Sequence, residues 1–357
     1  MISSVGRASA LQAECRRFDS VITHQRYAVV AQLVRVQACH AWGRGFEPRP
    51  PRHFLGFALW QFFFAYYNWL SGSLKTGETP MCQLLAMNAN TPTDIIFSFA
   101  GFRKRGGLTD CHSDGFGIAF FEDNAVRLLQ DTAACATSPF ADIVNQCPIR
   151  STNIVAHIRK ATQGQVSLAN THPFCREMWG QYWIFAHNGN LKDFTPQTGQ
   201  YFRPVGTTDS ETAFCYLLEQ LRQRFDSKPD HATLFAALSE ICHNIRQYGL
   251  LNCVISNGDI LFVHCGSLLH YIIRQAPFGV ASLADDDISI NFALDTTPQD
   301  KVAVIATLPL THNERWQQFA IGEMAMFQNG AIIERQTPEN PVYPDKEMGL
   351  NMARQAV

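Results

Sequence analysis

Residues 250–265, LLNCVISNGDILFVHC, set Asn257-Gly258 between two apolar runs. An Asn-Gly pair accepts the positive φ angles of a tight hairpin turn, so the two runs are expected to pair as antiparallel strands. A sheet of that kind with an apolar face must be covered, which constrains everything around it. FGIAFFE and AVRLLQD (116–122 and 125–131) form a second hairpin around DNA (123–125), and strands are also expected at CQLLAM, TNIVAHIRKA, LLHYIIRQ, KVAVIATLPL and EMAMFQNGAII. YWIFAHNG (182–189) reads as a strand running into an Asn-Gly turn. Helical spacing marks TDIIFSFAGFRKRGG (93–107), with a Thr/Asp cap and a Gly stop, and the shorter SPFADIVNQCP (138–148). TTDSETAFCYLLEQLRQRF (207–225) is a strongly amphipathic helix opening on a Thr208–Glu211 capping box, and HATLFAALSEICHNIRQYG (231–249) follows it. Two early helices, two adjacent long ones and many hairpins predict antiparallel sheets with helices outside them, in one domain from residue 82 to residue 357.

Hydrophobic residues make up 46% of the chain and charged residues 17%, enough apolar material for a sizeable core. A net charge of −2 and a pI near 6.6 argue against nucleic acid or a membrane surface as partner. The 11 cysteines show no CxxC spacing, and several sit in apolar strand-like runs, so they read as reduced residues of a cytoplasmic protein.

The first eighty residues fit this picture poorly. HFLGFALWQFFFAYYNWL (53–70) approaches the length of a membrane span, although Gln61 and Asn68 interrupt it, and taken literally it would be a signal anchor behind a basic tail. A different origin is expected. SSVGRA (3–8) and AQLVR (31–35) back-translate to one nucleotide string read in two frames, and that string resembles the D-arm of a tRNA gene. RRFDS and GRGFEPRP supply matching T-arm segments, with Phe18 and Phe46 each 15 residues after Ser3 and Ala31. Gly77-Glu78 can be written as a ribosome-binding sequence just before the Met81 codon. Residues 1–80 are therefore expected to be translated tRNA genes, with synthesis starting at Met81; a genuine propeptide cleaved before Cys82 is the alternative.

If Met81 is the initiator, the small Cys82 beside it permits removal of the methionine. Cys82 would then carry a thiol and a free α-amine of pKa roughly 7.7–8.0, so that one residue supplies nucleophile and base. A thiolate attacking an amide creates an oxyanion, and Asn188-Gly189 in HNGN could furnish two donors for it. Arg159, inside the apolar AHIRKATQG, calls for an anion such as a substrate carboxylate or an internal partner. Asp209, opening a helix, could receive an ammonium or simply complement the helix dipole. His157, His172 and His187 are too widely spaced, and too far from any acidic companion, to predict a metal site or a Cys-His dyad.

Together these pieces are similar to a family. MCQLLAMN, DGFGIAFFE, AHIRKAT, NTHPF, WIFAHNGNL and GTTDSE occur in the order found in class II glutamine amidotransferases, N-terminal-nucleophile hydrolases, with the nearest likeness to their stand-alone, YafJ-like branch. The resemblance implies an α+β, four-layer αββα sandwich. It implies Cys82 as nucleophile and Asn188 with Gly189 as oxyanion hole. Arg159 would bind the substrate α-carboxylate with Thr162 nearby, and Asp209 the α-ammonium. Neither a cofactor nor a metal is implied. The substrate would be glutamine or another γ-glutamyl compound, with ammonia passed to water or to a separate subunit, since no ammonia-consuming domain follows. Two departures touch the pocket: Lys160 and Gln163 stand where the commoner motif has Trp and His. A γ-glutamyl peptide hydrolase, glutathione-like in substrate, is the enzymatic alternative; a membrane-anchored binding protein with an inert domain is the other.

Overall fold

Asn257-Gly258 does close a hairpin, with Gly258 at φ 89°, and the computed structural model shows what that hairpin is part of. The structure describes residues 82–161 and 164–356. The segment at 53–70, the tRNA-like stretches, Met81, Thr162 and Gln163 lie outside the described residues.

In chain order the strands are β1 (Gln83–Thr93), β2 (Phe116–Glu122), β3 (Ala125–Asp131), β4 (Ser151–Ile158), β5 (Phe174–Met178), β6 (Gln181–Leu191), β7 (Gly249–Ser256), β8 (Leu261–His264), β9 (His270–Gln275), β10 (Val280–Ser282), β11 (Ser289–Asn291), β12 (Lys301–Ala306), β13 (Gln317–Gln318), β14 (Met324–Gln328) and β15 (Ala331–Gln336). The helices are α1 (Ile96–Lys104), α2 (Pro139–Gln146), α3 (Asp209–Arg224), α4 (His231–Ile245) and α5 (Lys346–Ala356). One sheet runs β13-β9-β12-β1-β4-β2-β3, a second β15-β14-β8-β7-β6-β5, and β10-β11 form a small pair. The pairings are antiparallel throughout.

Side-chain parity sorts the core into three slabs. Leu84, Ala86 and Val155 on the first sheet meet Ile184, Ala186 and Val254 on the second. The alternate residues Leu85, Met87, Ile154 and Ala156 face α1 and α2 through Phe99, Phe102 and Val144. Trp183, Phe185 and Leu251 face α3 and α4 through Phe214, Leu218 and Leu238. Apolar matter on both faces of both sheets gives four layers, helix–sheet–sheet–helix, the expected α+β αββα sandwich. Both faces being buried also explains why these strands read as continuous apolar runs.

Local chemistry fixed most element ends. Ser138 caps α2 by accepting from Phe140 N–H, Asp230 caps α4 through Thr233 N–H, and Thr208 caps α3 through Glu211 N–H. The Glu211 carboxylate does not complete a capping box; it takes Gly206 N–H and Arg176 instead. At α1 the expected Thr/Asp cap is displaced: Ile95 is the cap residue, and Asp94 reaches only Ile96 N–H. The larger correction concerns HNGN. Asn188-Gly189 make no turn; β6 continues to Leu191, with Asn188 opposite Asn252 and Gly189 opposite Leu251. A Cβ on Gly189 would stand 1.9 Å from Leu250 O, so the glycine serves close strand approach rather than reversal.

Candidate active site

Cys82 directly precedes β1, the central strand of the first sheet, whose Gln83 pairs with Ile158. That register brings the cysteine beside Arg159 and Lys160. Its thiol donates to Lys160 O (3.3 Å) and accepts from Lys160 N–H (3.2 Å). From the second sheet, Asn188 projects into the gap between the sheets, as its parity with Ile184 and Ala186 requires, and its Nδ2 donates to the Cys82 carbonyl. The site thus joins the start of a strand in one sheet to the end of a strand in the other.

Asn188 is itself held. Asn252, fully buried across the strand pair, donates from Nδ2 to Asn188 O (3.1 Å) and to Ser267 Oγ (2.8 Å), while its Oδ1 accepts from Gly266 and Ser267 N–H. Every group of that amide with hydrogen-bonding capacity is used, so the peptide carrying Asn188 is fixed.

Arg159 is buried, 3% exposed, and donates to Gln165 O (3.2 Å) and Gly164 O (3.3 Å). Asp114 lies close by: its N–H donates to Arg159 O, and its carboxylate accepts from Ala161 N–H at 2.8 Å. Burial pushes the Cys82 thiol up to about 11, against the opposing pull of the Lys160 N–H and the Arg159 charge. The sulfur is therefore a neutral thiol at neutral pH and needs a base to become a nucleophile.

Asp209 is tied to β6: Oδ2 accepts from Leu191 N–H (2.7 Å) and Oδ1 from Ser210 N–H (2.8 Å). His187 links these elements. Leu250 O can only accept, so His187 Nε2 carries the proton (3.0 Å). Burial lowers the His187 pKa, leaving Nδ1 as acceptor for the Ser210 hydroxyl at 2.9 Å. Both ring nitrogens are thus engaged away from Cys82. The His157 and His172 rings pack tilted against each other, 4.3 Å between centroids, and burial pushes His157 down to about 3 and lowers His172 strongly. Among the described residues no group of three or more His, Cys, Asp or Glu is arranged to hold a metal ion.

Of the residues expected to act, Cys82, Arg159, Asn188, Gly189 and Asp209 are all placed, Cys82 touching Asn188 directly. Sequence reasoning passed over Asp114 and Asn252, whose parts depend on partners 45 and 64 residues away, Arg159 and Asn188 respectively. All nine cysteines among the described residues are free, and no described helix is long and apolar enough to cross a membrane.

The chain is similar to known proteins. The family model for class-II glutamine amidotransferases matches residues 81–349. The chain is 53% identical over 253 residues to a Haemophilus influenzae protein provisionally named a glutamine amidotransferase, covering 71% of this chain and 86% of that one. With YafJ of Escherichia coli (strain K12), named in the same provisional way, identity is 48% over 248 residues, 69% of this chain and 97% of YafJ. The crystal structure of a Pseudomonas aeruginosa PA01 protein described as a predicted glutamine amidotransferase superposes with a TM-score of 0.58 at 43% identity, covering 71% of this chain and all of that one. The chain belongs to the class-II glutamine amidotransferases.

Proposed function

We propose that Cys82 is the N-terminal residue of the working protein and attacks the γ-carbonyl of glutamine or a related γ-glutamyl compound. The thiol proton passes to the α-amine, the S–C bond forms, and the C–N bond breaks with ammonia or an amine as leaving group. Water or an acceptor then resolves the γ-glutamyl thioester. The observation that carries this reading is the clamp on Cys82, with Lys160 N–H on the sulfur and the Asn188 amide on the carbonyl of the same residue.

An asparagine amide has two N–H donors. One occupies the Cys82 carbonyl; the second, with a Gly189 N–H, stabilises the oxyanion of the tetrahedral intermediate. Arg159 binds the substrate α-carboxylate, assisted by Thr162, and Asp209 the α-ammonium. His187 and Ser210 hold Asp209 and the end of β6 in register. Residues 1–80 are translated tRNA genes, Met81 is removed, and the protein works in the cytoplasm with any ammonia acceptor on a separate subunit. The family match beginning at residue 81 supports this start.

The test is N-terminal sequencing of native protein, followed by 6-diazo-5-oxo-norleucine labelling. Cys at the amino terminus and one adduct on Cys82 are expected. A native peptide from residues 1–80, or an unreactive Cys82, would sink the proposal.

A further inference from the structure

The direction in which the Gly189 N–H points is set from β7. Asn252 stands opposite Asn188 in the β6–β7 register and is fully buried. Its Oδ1 accepts from Gly266 and Ser267 N–H, both at 2.9 Å, which fixes the amide on the loop after β8 and decides which end of it is oxygen. That loop is itself held, with Cys265 N–H donating to Glu323 O and Gly322 N–H to Cys265 O. It also lies directly on β7, since a Cβ on Gly266 would stand 2.4 Å from Leu251 O. With the oxygen anchored there, Nδ2 is left facing the other way, where it donates to Asn188 O at 3.1 Å and to Ser267 Oγ at 2.8 Å.

The Asn188 carbonyl and the Gly189 N–H belong to one planar trans peptide and point in opposite directions. Asn252 holds the carbonyl toward β7, so the Gly189 N–H is turned to the other edge of β6. β5 pairs with β6 only between Gln181 and Phe185, and among the described residues no other strand lies along that edge. Gly189 is half-buried there between the buried Asn188 and Asn190, which leaves its N–H open to a ligand. We infer, on the γ-glutamyl thioester reading, that Asn252 is a positioning residue for the oxyanion hole. By gripping the Asn188 carbonyl it aims the Gly189 N–H, the second donor, at the oxygen on which charge develops. Its part in the reaction is played entirely through the Asn188-Gly189 peptide, from a strand that supplies no other group to the chemistry.

The experiment compares Asn252→Asp and Asn252→Ala with wild-type protein, each expressed from its full coding sequence and assayed with glutamine and with γ-glutamyl-p-nitroanilide. Aspartate keeps the acceptor for the Gly266 and Ser267 N–H groups and loses the donor to Asn188 O; alanine removes both without adding charge. A donor that loses its aim forfeits part of the roughly hundredfold to thousandfold that one oxyanion donor supplies, so kcat should fall about tenfold to a hundredfold in both variants, with KM within about twofold of wild type. Alkylation of Cys82 by iodoacetamide forms no oxyanion, and its rate, followed by peptide mass spectrometry, should stay within about twofold. A kcat within about twofold of wild type in either folded variant overturns the assignment. Alkylation that slows by the same factor as turnover overturns it too, because the change then disturbs the thiol rather than the oxyanion hole. The aspartate variant decides the matter if the alanine variant does not fold. An unchanged kcat in the variants removes the role of Asn252 and leaves the thioester reading standing. If wild-type protein turns over neither compound, the thioester reading fails and the role of Asn252 with it.

Discussion

Adding a single glycine N-terminal to Cys82 separates the proposed chemistry from its alternatives. The thiol sits near a pKa of about 11 because its surroundings desolvate the thiolate. At neutral pH that is about four units above ambient, so about one site in ten thousand is ionised and attack through preformed thiolate costs about 5 kcal/mol. A free α-amine of pKa roughly 7.7–8.0 is about one-tenth unprotonated at the same pH and can take the proton during attack. Acylating that amine with one glycine turns it into a non-basic amide. General-base assistance is worth roughly a hundredfold to ten-thousandfold, so kcat/KM for glutamine falls by that factor in the glycyl-extended chain. Two chains released by a site-specific protease, one beginning at Cys82 and the other at Gly-Cys82, make the comparison. Glutamate release and Cys82 alkylation are both followed from about pH 6 to about pH 11. The chain beginning at Cys82 gains rate up to about pH 8 and then levels off. The extended chain keeps gaining about tenfold per pH unit toward the thiol pKa. Equal rates at neutral pH, or a common break near pH 11, would refute the α-amine as base.

Asn188→Ala removes the proposed oxyanion donor, and kcat should fall roughly a hundredfold to a thousandfold with KM little changed, read by steady-state glutaminase kinetics. Gly189→Ala forces a methyl group to within 1.9 Å of Leu250 O and 2.7 Å of His187 Nε2. The β6–β7 pair must part, costing on the order of 1–3 kcal/mol in urea unfolding, and an unchanged midpoint would remove the close-approach role given to this glycine. Acid should weaken the fold by forcing buried imidazoles to ionise. His157 and His264, buried and neutral with pKa values pushed down to about 3 and about 4, protonate in the unfolded chain at 6.5. Their contribution is intact above 6.5 and is lost as the pH falls from there toward the folded values, by about 2 kcal/mol per imidazole at pH 5. Urea titrations at pH 7.5 and 5 measure this; equal midpoints would mean that the imidazoles ionise in place.

Legibility in the sequence followed the range of the interaction responsible. The β2–β3 and β7–β8 hairpins were readable because the residues that reverse the chain lie beside the strands they join, whereas EMAMFQNGAII, expected as one strand, reverses at Asn329-Gly330 into β14 and β15. The β5–β6 hairpin was missed: its turn is Trp179-Gly180, with Trp179 at φ 60°, and tryptophan carries no turn preference to announce it. The short strands β10, β11 and β13 were missed as well, being too brief to show a period, and so was the helix α5. In the site, Cys82, Arg159, Asn188 and Asp209 stood out because each is a chemically costly residue in a motif. Asp114 and Asn252 did not, since an aspartate before glycine or an asparagine in a strand acquires its part only through register with a distant segment.

Asn188-Gly189 shows why a local rule can fail where function sits. Taken alone, Asn-Gly at the end of an apolar run favours reversal, and nothing within the next several residues opposes that choice. What overrides it is β7, more than sixty residues on in the chain, which pairs with β6 through Leu191 and leaves room only for a residue without a side chain opposite Leu250 O. The continuation has a consequence beyond pairing. With period two, Ile184, Ala186 and Asn188 all face the gap between the sheets, whereas Trp183, Phe185 and His187 face α3. Had the chain turned at Asn188, the amide would have left that gap and Cys82 would have lost its partner from the second sheet. The glycine that looked like a turn signal is what keeps the strand straight long enough to deliver the asparagine.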